Sequence, residues 1–133
     1  MTLRVLLVED SGVMRTLLTT ILEAEAHSVV VGIGETESQA KSWLDSNAGN
    51  WDLALVDLYL QEGTGVSVLE HCRNRRHDQT VVVMTNHTQD DALRDDCLRL
   101  GANAVFQKGI ELDDMVAYCK VLASKMSIEG LYH

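Results

Sequence analysis

A short apolar run that ends in a carboxylate, Leu53-Ala-Leu-Val-Asp57, constrains the fold more than any other stretch of the sequence. Four consecutive apolar residues bounded by polar ones are typical of a strand that is buried on both faces. An acid at the end of such a strand lies at the edge of the sheet where ligands bind in open α/β folds. We therefore expect Asp57 to take part in chemistry and not in packing.

The same pattern recurs along the chain and predicts five strands that alternate with helices. Besides the strand that ends at Asp57, apolar runs predict strands over residues 4–8, 28–33, 80–84 and 104–107. Apolar residues at helical spacing predict a first helix that runs to about Ala26, with Asp10 or Ser11 as its N-cap. The same spacing predicts further helices over 36–46, from near Gly65, over 90–100 and through 112–126. Strict alternation implies parallel pairing through right-handed crossovers, with helices on both faces of the sheet. The predicted fold is a doubly wound α/β domain.

Length and charge exclude several functional classes. A chain of 133 residues suffices for one ordinary core, so we expect a single domain over residues 1–127 with a tail over 128–133. A net charge of −9 opposes direct binding to nucleic acids and to anionic membranes, since both require Lys and Arg. The first eight residues resemble neither a signal peptide nor a membrane span, and we expect a cytoplasmic protein.

The three cysteines predict no disulfide framework and no metal site. Cys72, Cys97 and Cys119 are odd in number and far apart in the sequence. We expect them to be free thiols that are buried or half-buried, as cysteine usually is in proteins.

Polar residues stand at the ends of four of the five predicted strands: Glu9 and Asp10, Asp57, Thr85 and Lys108. If the first and third strands are neighbours, the three carboxylates lie within about 5–6 Å, and each pair repels by about 3 kcal/mol at an effective dielectric constant of about 20. One lysine cannot balance three acids, whereas a divalent cation can. A site made of carboxylate and carbonyl oxygens suits Mg²⁺ or Mn²⁺.

With a metal bound, Asp57 is a carboxylate nucleophile that can form an acyl phosphate. The metal and Lys108 would spread the charge of the transferring phosphoryl group, and the Thr85 hydroxyl could donate to one of its oxygens. Polar residues are common at strand ends because loops are solvated. Their joint placement on four of five strands is far more specific than any one of them.

These residues resemble the receiver domain of a bacterial two-component response regulator. The matching segments are residues 5–11, 55–58 with Gly65 eight positions after the aspartate, 83–85, and 101–102 leading to Lys108. They cover nearly the whole chain. The resemblance implies the flavodoxin-like strand order 2-1-3-4-5. It also implies a phosphorelay function, in which Asp57 is phosphorylated by a sensor histidine kinase or a histidine phosphotransfer protein.

The resemblance implies a role for each site residue. Mg²⁺ would bind directly to Asp10, Asp57 and the Tyr59 carbonyl and through water to Glu9, while Thr85 and Lys108 would contact the phosphoryl group. A downstream protein, or a second copy in a homodimer, would dock on the last two helices and the fifth strand. Tyr118 and Val121 are candidates for that surface.

Several positions depart from the family pattern. Gln61 and Gly109 stand where the family usually has proline, which suggests more mobile loops. Asn86 replaces a small residue, which suggests narrower access to the phosphoryl group. Val105 replaces the usual switch aromatic, and strand alternation predicts that Phe106 points to the other face of the sheet.

Three other functions compete with a phosphorylated receiver. Aspartyl phosphatases that use Mg²⁺ have a second Asp two residues after the first, where this chain has Tyr59. We therefore expect no turnover of a separate substrate. The chain would catalyse only its own phosphorylation and dephosphorylation. Flavodoxin requires a phosphate loop after the first strand, which this chain lacks. A receiver that signals without phosphorylation is the third. The intact set of Glu9, Asp10, Asp57, Thr85 and Lys108 argues against it, whereas Asn86 and Val105 leave it open. Tyr59 and His87 resemble family positions that tune the lifetime of the acyl phosphate by controlling the access of water, and their bulk suggests a longer-lived phosphoryl group.

Overall fold

Five parallel strands form one sheet, and a helix follows each strand. The computed structural model describes residues 2–86 and 91–131. The strands are β1 (Leu3–Val8), β2 (Ser28–Gly34), β3 (Leu53–Asp57), β4 (Thr80–Thr85) and β5 (Ala104–Gln107). The helices are α1 (Gly12–Glu25), α2 (Glu37–Ser46), α3 (Gly65–His71), α4 (Asp91–Arg99) and α5 (Leu112–Leu131). The sheet order β2-β1-β3-β4-β5 confirms the predicted doubly wound, flavodoxin-like architecture.

The central strand β3 is buried on both faces, which explains its continuous apolar sequence. Leu53 and Leu55 pack in a cluster with α1 and α5, whereas Ala54 and Val56 pack in a second cluster with α2, α3 and α4. Burying one such side chain contributes about 1.5–3 kcal/mol. Asp57 is the last residue of β3, and it belongs to neither apolar cluster.

The first three helices each begin after an N-cap residue whose side-chain hydroxyl accepts a backbone hydrogen bond. Ser11 accepts a hydrogen bond from the Met14 N–H at 3.3 Å, Thr36 from the Gln39 N–H at 3.1 Å, and Thr64 from the Ser67 N–H at 3.2 Å. Such caps stabilise a helix by about 1 kcal/mol each. Of the two caps predicted for α1, the structure uses Ser11, which leaves the Asp10 carboxylate available to the neighbouring loops.

Some helix boundaries differ from the predicted ones by one residue or more. Thr36 is the cap of α2 and not its first residue, and α4 ends at Arg99 with Gly101 following in a left-handed conformation of φ +109°. Asp90, the predicted first residue of α4, lies outside the described residues. Helix α5 continues to Leu131, beyond residue 127, where the sequence predicts the end of the domain. Among the described helices, none is both long and apolar enough to cross a membrane.

The three cysteines are free and buried, as predicted. Burial raises the pKa of Cys72 to about 11 and that of Cys119 to about 12. Because the thiolate is the reactive form, these thiols are inert at neutral pH.

Strand β5 places its two central side chains on opposite faces of the sheet, as alternation predicts. Val105 is buried in the cluster with α2, α3 and α4, whereas Phe106 packs against the cluster with α1 and α5. The Phe106 ring meets the Tyr118 ring edge to face, with centroids 5.7 Å apart. No aromatic side chain therefore occupies position 105 or its face of β5.

Gly65 allows the chain to return tightly to the end of β3. Its N–H donates to the Leu58 carbonyl at 2.9 Å. A Cβ at this position would lie 2.1 Å from the Asp57 carbonyl oxygen and 2.6 Å from the Leu58 Cα. Both obstacles are backbone atoms of the strand that carries Asp57, so the conflict cannot be relieved by a side-chain rotation.

We predict that Gly65→Ala lowers the free energy of unfolding by about 2 kcal/mol, the usual cost of inserting a methyl group into a closed site. Alanine would by itself favour the first turn of α3, so this loss reports the backbone contact and not helix propensity. Urea unfolding measures the difference. Gly109→Ala is the matched control because nothing lies within 4 Å of its Cβ position. Equal stability of the two variants would contradict the packing argument.

Candidate functional site

Three carboxylates meet at the carboxyl edge of the sheet. Glu9 and Asp10 follow β1, and Asp57 ends β3, which pairs with β1 so that Val8 lies opposite Val56. The three side chains offer ligand oxygens that all lie within 4.8 Å of one another. Parallel pairing of β1 with β3 is the cause, since it places the ends of both strands at one level.

Glu9 and Asp57 are buried, whereas Asp10 is only partly so. Their exposed fractions are 1% for Glu9 and 7% for Asp57. Burial raises the pKa of Glu9, and repulsion from Asp57 adds to this rise, while hydrogen bonds from Lys108 and the Ser11 N–H oppose it. The Ser11 N–H donates to Oε2 of Glu9 at 3.2 Å. The site therefore holds negative charge where water is largely excluded.

Lys108, the residue after β5, joins two of the carboxylates. Its Nζ donates to Oδ2 of Asp57 at 2.9 Å and also to Oε1 of Glu9. Burial by itself would lower the pKa of Lys108, but the hydrogen bonds to Glu9 and Asp57 outweigh this effect and raise it. The ammonium group therefore stays charged at neutral pH. It supplies one positive charge against three carboxylates.

Two backbone N–H groups of the loop between β3 and α3 complete the contacts of the aspartates. The Tyr59 N–H donates to Oδ1 of Asp57 at 3.2 Å, and the Gln61 N–H donates to Oδ2 of Asp10 at 2.8 Å. The Tyr59 side chain is 55% exposed, while its backbone adjoins Asp57. Its carbonyl as a metal ligand stays a prediction.

Thr85 is fully buried and ends β4, the other neighbour of β3. Asp57 pairs with Met84, so Thr85 lies one residue beyond the level of Asp57. The Thr85 carbonyl accepts a hydrogen bond from the Lys108 N–H at 3.1 Å. The hydroxyl residue and the lysine predicted from the sequence are therefore joined through their backbones. His87, two residues further on, lies outside the described residues.

Arg15 supports the site, although no sequence pattern predicts this role. Its Nη1 donates to the carbonyls of Glu9 and Asp10 at 3.0 and 3.1 Å, and its Nη2 pairs with Oε1 of Glu35 at 3.0 Å. The guanidinium thus fixes the turn that carries both acids and ties it to the loop after β2. In the sequence, Arg15 is a single basic residue on an amphipathic helix, and nothing there distinguishes it from a solvent-exposed side chain.

The geometry fits a hard divalent cation. The available donors are carboxylate oxygens, with the partly exposed Asp10 on the open side, and a single ammonium group opposes the three acids. Carboxylate and carbonyl oxygens are the ligands that Mg²⁺ and Mn²⁺ prefer. Glu9, Asp10 and Asp57 are the residues that could hold such an ion.

We predict that Asp10→Asn stabilises the metal-free protein, because it removes one of three mutually repelling carboxylates. The gain in unfolding free energy is expected to be on the order of 1 kcal/mol. Asparagine keeps an oxygen for the Gln61 N–H, so the loop contact survives. Urea unfolding in the presence of a chelator measures the effect. Glu62→Gln, which removes an exposed loop charge, should change stability by less. A loss of stability in Asp10→Asn would contradict repulsion as the dominant interaction.

Comparison with known proteins identifies relatives that match most of the chain. The family model of the response regulator receiver domain matches residues 5–120. The chain is 32% identical over 111 residues to the DNA-binding transcriptional activator DevR/DosR of Mycobacterium tuberculosis. This alignment covers 82% of this chain and 50% of that protein. It is also 31% identical over 121 residues to the Regulator of RpoS of Escherichia coli, in an alignment that covers 87% of this chain and 34% of that protein. The chain thus spans about half the length, or less, of these relatives.

Solved structures share the fold over nearly its full extent. A signal receiver domain from Vibrio parahaemolyticus superimposes with a TM-score of 0.80 at 24% identity, covering 100% of this chain and 98% of that one. A CheY-like receiver domain from Methanospirillum hungatei gives a TM-score of 0.76 at 22% identity, covering 97% and 99%. The match to the family model over residues 5–120, with which the shared fold agrees, shows that this chain belongs to the response regulator receiver domain family of two-component systems.

Proposed function

We propose that Asp57 is the phosphoacceptor of this receiver domain, that its phosphorylation depends on Mg²⁺, and that the phosphorylated form changes which partner the domain binds. One observation carries the proposal: the Asp57 carboxylate is held between Lys108 Nζ and the Tyr59 N–H, inside a cluster of three acids. A carboxylate in this setting is oriented and largely shielded from water, while its acidic neighbours favour a metal ion.

The proposed reaction is an in-line phosphoryl transfer. An oxygen of Asp57 forms a bond to phosphorus while the bond from phosphorus to the donor breaks, and the donor leaves with the electron pair of that bond. When the donor is a phosphohistidine, the leaving imidazole takes up a proton. Bound Mg²⁺ would neutralise charge on the acids and on the phosphoryl oxygens. Asp10, Asp57 and the Tyr59 carbonyl are its proposed direct ligands, and Glu9 would hold it through water. Mn²⁺ fits the same oxygen donors.

Lys108 and Thr85 are proposed to bind the phosphoryl oxygens. The Lys108 ammonium already contacts Oδ2 of Asp57, so it needs to move little to reach a group attached there. Thr85 is placed one residue beyond the level of Asp57 on the adjacent strand. Because the Thr85 carbonyl accepts from the Lys108 N–H, a shift of either residue is transmitted to both β4 and β5.

The readout surface is proposed to lie on α4, β5 and α5. Val121 is 54% exposed there, and Tyr118 is half-buried against Phe106. A downstream protein or a second copy of the chain would dock on this surface, and the phosphoryl group would come from a histidine kinase or a histidine phosphotransfer protein. Val105 stands where the family usually has its switch aromatic. Its presence favours a mechanism in which Thr85 and Lys108 transmit phosphorylation to this surface.

The proposal assigns no separate substrate and no direct DNA contact to this chain. Tyr59 stands where an aspartyl phosphatase would need its second acid, and the net charge is −9. The DNA-binding activity in the name of the mycobacterial relative belongs to a protein twice as long as the matched segment. We place the receiver unit at residues 1–127 and its site of action in the cytoplasm.

Incubation with Mg²⁺ and a small acyl phosphate, followed by intact-mass measurement, tests the proposed function. We expect the parent protein to gain one phosphoryl group and Asp57→Asn to gain none, because an amide is not a nucleophile in this reaction. Asp45→Asn is the matched control, since this aspartate pairs with His71 outside the site. It should be phosphorylated like the parent protein, and a chelator should prevent the gain.

Two results would contradict the proposal. Equal phosphorylation of Asp57→Asn would place the acceptor elsewhere. No gain in the parent protein, with Mg²⁺ shown to bind, would favour a receiver whose partner and not its phosphate sets its state. The buried Val105 and the Phe106 ring packed on Tyr118 are the observations that favour that second function.

A further inference from the structure

The loop between β3 and α3, residues 58–64, carries a proposed metal ligand and is closed at its base. Tyr59, whose carbonyl is the proposed ligand, pairs with Thr64 in an isolated antiparallel bridge. The Gly65 N–H donates to the Leu58 carbonyl at 2.9 Å, next to this bridge. A contact that holds Thr64 therefore also restrains Tyr59.

The sequence of this loop favours mobility at its outer end. Gly63 lies at the turn in a left-handed conformation with φ +81°, and glycine is the residue with the widest choice of backbone conformations. Gln61 stands where the family usually has proline, whose ring would fix φ and restrict the chain. A contact from outside the loop would supply order that these residues do not.

Glu37, the first residue of α2, makes such a contact on both sides of Gly63. Its N–H donates to the Glu62 carbonyl at 3.1 Å, and its Oε1 accepts from the Thr64 N–H at 2.9 Å. The two segments are closely packed, since a Cβ at Gly63 would overlap the Cβ of Glu37. One residue of α2 thus binds the backbone before and after the turn.

The Glu37 carboxylate is itself held in place. Its Oε2 pairs with Lys41 Nζ at 2.8 Å, one helical turn further along α2. The hydrogen bonds from Lys41 and from the Thr64 N–H lower the pKa of Glu37, so the carboxylate is charged at neutral pH. Hydrogen bonds to a charged acceptor are stronger than those between neutral groups. The contact with Thr64 is of this stronger kind.

We infer that Glu37 is a positioning residue for the metal site, which holds the loop that carries Tyr59 and replaces the restraint of the proline that position 61 lacks. The inference rests on the proposed function, because it takes the Tyr59 carbonyl as a metal ligand. It implies that position 37 needs an acceptor oxygen while residue 61 is glutamine, and that proline at position 61 makes this oxygen less important.

Calorimetric titration with Mg²⁺ of the parent protein, Glu37→Gln and Glu37→Ala tests the role of the acceptor oxygen. Both variants lose the same negative charge, but only glutamine keeps an oxygen that can accept from the Thr64 N–H. Glu37→Gln should bind Mg²⁺ nearly as tightly as the parent protein. Glu37→Ala should bind about fivefold more weakly, because a released loop adopts the binding conformation for only part of the time. Equal affinities of the two variants would overturn the inference.

The same titration with proline at position 61 tests whether Glu37 replaces its restraint. In a Gln61→Pro background, Glu37→Ala should weaken Mg²⁺ binding much less than it does in the parent protein, since the proline ring restricts the loop by itself. A loss of equal size in both backgrounds would overturn this part of the inference. A role of Glu37 in general stability alone would not depend on the residue at position 61.

Hydrogen exchange of the Thr64 amide, followed by NMR without Mg²⁺, reports the contact directly. We expect slow exchange in the parent protein and in Glu37→Gln, and exchange about tenfold faster in Glu37→Ala, because the amide then lacks its acceptor. Equal exchange rates in the parent protein and in Glu37→Ala would overturn the inference.

The failure of this inference and that of the proposed function are distinguishable. If the parent protein binds Mg²⁺ and Glu37→Ala binds it equally well, only the role of Glu37 is lost. If the parent protein does not bind Mg²⁺, the inference and the proposed metal dependence are both wrong.

Discussion

The ion pairs of Lys108 with Glu9 and Asp57 are the interaction on which the functional edge of this protein depends. Three carboxylates within 4.8 Å of one another would be severely destabilising in a buried site without a cation. The parallel sheet supplies that cation because β5, which precedes Lys108, ends at the same edge of the sheet as β1 and β3, with β4 between β3 and β5. Because one ammonium cannot balance three acids, the structure retains an excess of negative charge that a metal ion can neutralise.

Backbone groups and one arginine hold the acids in place around this excess charge. Arg15 secures the carbonyls of Glu9 and Asp10, and the N–H groups of Tyr59 and Gln61 fix the carboxylates of the two aspartates. These contacts draw on α1 and on the loop after β3, so the site is built by elements that also cover the sheet. The fold itself thus supplies contacts that orient the acids.

Much of the fold was predictable, because burial on both faces forces the strands to be short and continuously apolar. The same reasoning placed polar side chains at the strand ends and led to Asp57. The Gln61 N–H was not predictable, since every residue except proline has one and only the folded loop brings it to Asp10. Arg15 was missed because its contacts with the carbonyls of Glu9 and Asp10 and with the Glu35 carboxylate form only in the folded chain and follow no sequence pattern.

The free energy of unfolding, measured against Mg²⁺ concentration at constant ionic strength, tests most directly whether the carboxylate cluster binds a divalent cation. If a single ion binds only the folded protein, stability rises by about 1.4 kcal/mol for each tenfold increase in Mg²⁺ above the dissociation constant. Stability that is the same in Mg²⁺ and in a monovalent salt of equal ionic strength would contradict a divalent-cation site at Glu9, Asp10 and Asp57.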